Sequence, residues 1–276
     1  MKQRRFLFLR GAFSMTYVGK QTDSYQCRGK LRPVLLPAVN RQNLFSGFDP
    51  LFRHRGTEVH RIETFSDAVF AFSISLLIMS LEVPQTFGEL KVIIQNFLPF
   101  LATVLLVALF WKEQNRFFRY YGFSDSLVVW LNILLLVVIL FYVYPLKFLF
   151  SVLLWLVTHV NYFPKAGDEE VLNYEDVPQL VMIFSIGYSV IWFLFFLMYE
   201  IAWRRREYLQ LNRYELMATK KEIRGALMNV GIGLASLFFA AIGFPQVGGY
   251  CFFLIPFGVW FLNWLKKREL KTHNSS

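Results

Sequence analysis

Apolar runs of about 20 residues recur along this chain, each long enough to cross a hydrocarbon core of roughly 30 Å as a helix. Lipid offers no water to pair backbone N–H and C=O groups, so a crossing segment must satisfy them within itself. The expected fold is therefore an all-α membrane protein. Hydrophobic residues make up 55% of the 276, including 31 Phe, which is more apolar surface than one soluble core of this length uses. Spans are expected at roughly 65–83, 93–111, 127–147, 180–202, 226–243 and 249–265. After Leu127 the chain stays apolar past Pro145 and Lys147 to Trp155 and Tyr162, long enough for one bent helix or two crossings.

Charge decides between them. With no separate crossing at 148–162, one side of the membrane receives Arg53, Arg55, Arg61, Lys112, Arg116, Arg119, the seven basic residues from Arg204 to Arg224, and Lys266, Lys267, Arg268 and Lys271. The other side receives Lys91, Lys147 and Lys165, the acids Asp168, Glu169, Glu170, Glu175 and Asp176, and a chargeless turn at Pro245–Gly249. Basic residues collect on the cytoplasmic side, so six spans with both termini inside is the reading that keeps the split; a seventh would spoil it. The net charge of +10 thus marks membrane flanks and not a nucleic-acid partner. The bilayer is the expected partner, and a cell membrane the expected site if the chain is prokaryotic.

Outside the spans, residues 1–52 are basic, carry Pro33 and Pro37, lack the periodicity of a packed domain, and are expected to be disordered. Residues 53–268 form the expected transmembrane domain, with 269–276 a polar tail. Residues 204–224 mix Arg, Lys, Glu and Tyr with Leu209, Leu211, Leu216 and Met217, a composition suited to an amphipathic helix continuing the fourth span into the cytoplasm, or to a solvated linker facing the headgroups. Cys27 and Cys251 form no disulfide framework or metal spacing, and His54, His60, His159 and His273 are read as structural or solvated. No cofactor is expected. No His-Glu-x-x-His helix, Gly-x-Ser-x-Gly elbow or phosphate loop is present, which argues against an enzyme.

The first span opens with charge and then turns apolar with hydroxyls inside it: Arg61-Ile-Glu-Thr-Phe65-Ser66-Asp67, then Phe72, Ser73, Ser75 and Met79. Arg61 and Asp67 are nearly two turns apart, so they can reach different neighbouring helices; equally, Ser66 or Asp67 could cap the helix while Arg61 reaches the headgroups. Phe72, Ser75 and Met79 share one helical face and would stack apolar, hydroxyl and apolar rings in an oligomer, or Ser75 could bond the carbonyl one turn back. Arg119-Tyr-Tyr-Gly-Phe123-Ser124-Asp125 echoes the opening motif without its Ala-Val-Phe-Ala continuation; Asp125 is read as a helix cap.

Arg-x-x-x-Phe-Ser-Asp-Ala-Val-Phe-Ala at 61–71, then Ser75-Leu-Leu77 and Glu82-Val-Pro84, resembles the first-helix signature of the transmembrane protein 175 potassium channels. Trp111, the Asp125 to Asn132 stretch and Pro145 extend the resemblance over about residues 55–265. It implies a potassium-permeable cation channel with one six-helix repeat per chain. It also implies a homotetramer whose pore is lined by the first helices, without a carbonyl filter. By position the constriction falls on Phe72, the hydroxyl layer on Ser75 and the next apolar layer on Met79, with potassium passing transiently near Ser75. The motif network of Arg61, Phe65, Ser66, Asp67, Trp111, Gln114, Asn115 and Asn132 would brace the pore helix. Where the family has a His beyond the Trp, this chain has Gln114 and Asn115, either of which could bond Asp67 without titrating.

Two other classes fit the hydrophobic pattern: a secondary transporter using Gly187, Gly225, Gly231, Gly233, Gly243 and Pro256 as helix breaks, or a noncatalytic scaffold binding through 204–224.

Overall fold

The computed structural model describes residues 52–274 apart from 54, 57–58, 80–82, 123–124, 161 and 163–175. The expected disorder of 1–52 therefore concerns residues outside the described part, except Phe52. The acids from Asp168 to Glu175 and Glu82 also fall outside it.

The described residues are helical: α1 (Arg61–Met79), α2 (Phe87–Gln95), α3 (Phe97–Tyr121), α4 (Ser126–Thr158), α5 (Val177–Arg204), α6 (Arg213–Ala241), α7 (Pro245–Cys251) and α8 (Leu254–Asn274). They amount to six segments long and apolar enough to cross a membrane, with α2 and α3 sharing the second and α7 and α8 the sixth. The third crossing is one helix that passes through Pro145 and closes at His159, whose left-handed φ of 55° ends it. Residues 148–158 thus extend that span.

Packing runs in sequence order. The α5–α6 pair has the most extensive contact, α4 lies between α5 and α3, and α1 touches α3 and α4 alone. At the other edge α8 touches only α6 and α7. Both α1 and the described side chains of α8, at 254–264, leave most of one side bare.

The α5–α6 seam is polar and tight. Ser185 donates to Ser236 at 2.8 Å and Tyr188 to Asn229 at 2.5 Å, so these two hydroxyls are paired inside an apolar bundle. Gly187 and Gly233, expected as possible helix breaks, lie inside continuous helices: a Cβ on Gly187 would strike the Tyr142 ring, and one on Gly233 the Ser189 hydroxyl. They allow close approach. Gly243 does mark a break, with φ at 87° between α6 and α7.

Two boundaries differ from the expected ones. The second span does not stop at Trp111, since α3 runs to Tyr121 and buries Gln114, Phe117, Phe118 and Tyr121. Nor does 204–224 prolong the fourth span: α5 ends at Arg204, the chain turns through 205–212, and α6 begins at Arg213. Its start is a capping box in which Asn212 and Glu215 exchange bonds. The basic residues from Arg213 onward are the first turns of the fifth span.

Replacing Gly187 with Val should overpack the α4–α5 contact and cost about 1–3 kcal/mol. Thermal melting of the detergent-solubilised protein should show a midpoint several degrees lower, whereas Gly231→Ala, with open space around it, should hold the midpoint or raise it slightly, since Ala is the better helix former.

Candidate functional site

Of the two roles the sequence leaves open for Ser66 and Asp67, capping the start of α1 is not the one they take. Glu63, in the first turn and buried, accepts from the His60 backbone N–H at 3.1 Å and fastens the entry to the helix. This frees Ser66 and Asp67 for other partners.

The helix has two unlike faces. Glu63, Ser66, Phe70, Ser73 and Leu77 are buried, at the spacing of one helical stripe. Phe65, Ala68, Phe72, Ser75 and Met79 form the opposite stripe and are exposed, Phe72 by 53% and Met79 by 76%. The three residues expected to line a pore therefore share a bare face. Phe65 joins them there, apart from the brace in which it was expected.

Inside α1 the serines turn to the backbone. Ser66 donates to the Ile62 carbonyl, Ser73 to Val69, and Ser75 to Ala71 at 3.1 Å, the local bond weighed for it from sequence. The Ser75 proton is thus directed along the helix, and its oxygen stays on the exposed face with lone pairs outward.

Behind the helix lies a polar chain. Asn132 of α4, with no exposed surface, donates to Ser66 at 2.9 Å and accepts from Gln114 of α3 at 3.1 Å. Ser66 then passes its own proton to Ile62. Asn132 and Ser66 each give and receive, so three helices are fixed in register through groups that lipid could not solvate. Nearer the surface, the Trp111 indole donates to Asp67 at 2.7 Å. Gln114 consequently does not serve Asp67, as had been expected of it or Asn115; it serves Asn132. Asn115 lies one residue on and is partly buried. Arg61 is exposed at the start of the helix.

Around this site stand ion pairs that sequence reasoning missed. Asp125 starts α4 but makes no side-chain cap; its carboxylate receives Arg205 at 2.7 Å, tying the α3–α4 turn to the end of α5. Arg116 of α3 bridges Glu113 and, at 2.7 Å, Glu222 of α6. Glu215 is fully buried and receives Arg53 and Arg55. The Asn-x-x-Glu pattern at 212–215 was a legible sign of a cap, but nothing adjacent in sequence announces partners more than 150 residues away.

Residues 61–145 match the family described as the endosomal/lysosomal potassium channel TMEM175. A protein of Marivirga tractuosa named potassium channel is 36% identical over 201 residues, covering 71% of this chain and 80% of that protein. The chain belongs to the TMEM175 family. A second relative, a potassium channel of Chamaesiphon minutus, is 32% identical over 97 residues, or 32% of this chain and 48% of its own length. The crystal structure of a variant of the potassium channel MtTMEM175, held with a nanobody fusion protein, superposes with a TM-score of 0.71 at 33% identity, over 80% of this chain and 99% of that one. The TMEM175 match contains Ser66, Asp67, Trp111, Gln114 and Asn132, all of the hydrogen-bonded brace, while Arg53, Arg55 and Glu215 lie outside it.

Asn132→Leu should strand the Gln114 amide in an apolar interior and cost about 1–3 kcal/mol. Replacing both, as Gln114→Leu with Asn132→Leu, should cost less than Asn132→Leu alone, because no buried donor is then left without an acceptor. Unfolding midpoints of the three proteins in one detergent check the order.

Proposed function

We propose that this protein is a potassium-permeable cation channel in which copies of the chain, four in the arrangement the family resemblance implies, surround a path lined by α1. The observation that carries the reading is the position of α1. It packs only on α3 and α4, is held there by Asn132 and Trp111, and leaves Phe65, Ala68, Phe72, Ser75 and Met79 bare on the far side. A helix so firmly braced on one face has a second face available to other copies, and one chain offers that face once. The named potassium channels among its relatives give the conducted ion.

In such an assembly Phe72 would form an apolar constriction that empties of water when narrow, and Ser75 the oxygen layer one turn along. Met79 closes the stack. Potassium would meet the Ser75 oxygen only in passing, since a single hydroxyl per chain replaces little of an ion's hydration shell. The domain reading follows: 53–268 as the channel domain, 1–52 as an extension before it and 269–276 as a tail.

Orientation with both termini inside draws support from one end of the bundle. Phe52 stacks on Tyr120, Arg205 meets Asp125, and Arg53 and Arg55 meet Glu215, so segments counted on the basic side by charge parity are neighbours in space. The host is then a cell membrane if the chain is prokaryotic. Continuous helices through Gly187, Gly225, Gly231 and Gly233 give no support to a broken-helix transporter.

Purified protein in liposomes should carry potassium flux exceeding sodium flux. Phe72→Ala should raise the flux several-fold by widening the constriction, and Ser75→Ala should reduce the preference for potassium. Absence of flux in the wild type, or flux indifferent to both substitutions, would sink the pore assignment.

A further inference from the structure

The segment just before α1 is built into the bundle. Phe52 is 2% exposed and stacks on Tyr120 with ring centroids 4.2 Å apart. Arg53 donates to Glu215 from its backbone N–H at 2.9 Å and from Nε at 3.2 Å, and reaches the Gln210 carbonyl at 2.8 Å. Arg55 donates to the other Glu215 oxygen at 2.7 Å and to the Leu209 carbonyl at 3.0 Å. The Gly56 N–H then bonds the Arg119 carbonyl at 3.2 Å.

The socket is shaped for this segment. A Cβ on Gly56 would come within 2.7 Å of the Phe118 carbonyl oxygen, so the backbones are as close as glycine permits. Gly122 answers from the other side: its φ of 58° ends α3, and a Cβ there would strike the Arg55 backbone. Glu215 has no exposed surface, and besides the two arginines it accepts from the Asn212 N–H at 2.8 Å. One carboxylate thus joins the turn between α5 and α6 to the residues that lead into α1. Its four donors leave it no unpaired lone-pair direction of consequence, and both arginines are held through more than one nitrogen.

Among the described residues, the backbone of α1 does not come close to that of α5 or α6. Beside the route through α3 and α4, the arginine segment is thus a second connection, running from the α5–α6 turn to the residues that lead into the helix.

We propose that Glu215 is a positioning residue for α1: through Arg53 and Arg55 it fixes where the pore helix starts, and so sets how often the channel conducts without touching the ion path. This rests on the reading of α1 as the pore helix. Phe72, Ser75 and Met79 lie beyond the clasp along α1, so loosening it should disperse the helix among positions, few of which align with the other copies, and leave the constriction of an aligned assembly as it was.

The test is single-channel recording of wild type, Glu215→Gln, Arg55→Gln and the double variant in planar bilayers, with hydrogen exchange on the same proteins. Open probability should fall roughly tenfold in Glu215→Gln, the scale of one lost charge-assisted bond acting on a two-state equilibrium. Unit conductance and potassium preference should not move. Arg55→Gln should act in the same direction, and the double variant should fall no further than Glu215→Gln, since both remove one link. Amide exchange over 59–70 should quicken about tenfold while the α5–α6 seam holds its protection. Should Glu215→Gln fail to assemble, Arg55→Gln carries the test alone.

An open probability that is unchanged or raised, a shift in conductance or selectivity, or additive effects in the double variant would each overturn the proposal. If the wild type passes no current, the pore reading fails on its own, and the exchange result still decides whether Glu215 fixes the start of α1.

Discussion

A buried amide governs how this bundle is arranged. Asn132 has no exposed surface and stands in a layer where water does not compete, so each of its bonds must be made by protein. Its oxygen takes Gln114 from α3 and its nitrogen goes to Ser66 of α1. An apolar contact between these helices could slide by a turn at modest cost; this chain of donors cannot, because any shift strands an amide. The register of α1 against α3 and α4 follows, and with it which residues face outward. Phe72, Ser75 and Met79 are bare because Ser66, Phe70 and Ser73 are committed to the interior.

The number of spans was legible because hydropathy answers one question well, namely whether a stretch can sit in lipid. It answers a second question badly. α3 continues past Trp111 through Lys112, Glu113 and Arg116, and α6 starts at Arg213, not at 226. These polar turns are helix that lies against other helices: Gln114, Phe117 and Tyr121 are buried on one side of α3, and Glu215, Ala218 and Thr219 on one side of α6. A window average blends the buried face with the charged face and reads the result as a linker. The second half of α4 was ambiguous for the reverse reason, since uninterrupted apolarity carries no punctuation and only charge parity chose one helix.

At the site, the sequence singles out Ser66, Asp67, Trp111, Gln114 and Asn132, but not which of them bond to one another. Gln114 was offered to Asp67 and serves Asn132; Phe65 was counted with the brace and lies on the bare stripe. Local pattern tells which residues are polar in an apolar setting, whereas the choice among partners depends on the relative rotation of helices. The Glu215 clasp lay further out of reach. Its arginines sit in a stretch whose composition resembled the disordered extension, and Phe52 was placed inside that extension before it proved to be packed on Tyr120.

The bonds that Ser66 and Ser73 make to Ile62 and Val69 have a meaning for synthesis. α1 leaves the ribosome before α3 and α4 exist, so for that interval its buried stripe faces lipid with no Asn132 to meet. Hydroxyls that already lend their protons to carbonyls of their own helix cross that interval without an orphaned donor. The later arrival of Asn132 needs only the lone pair that Ser66 kept back. The serines thus let a helix that will be held by polar contacts be made first and wait.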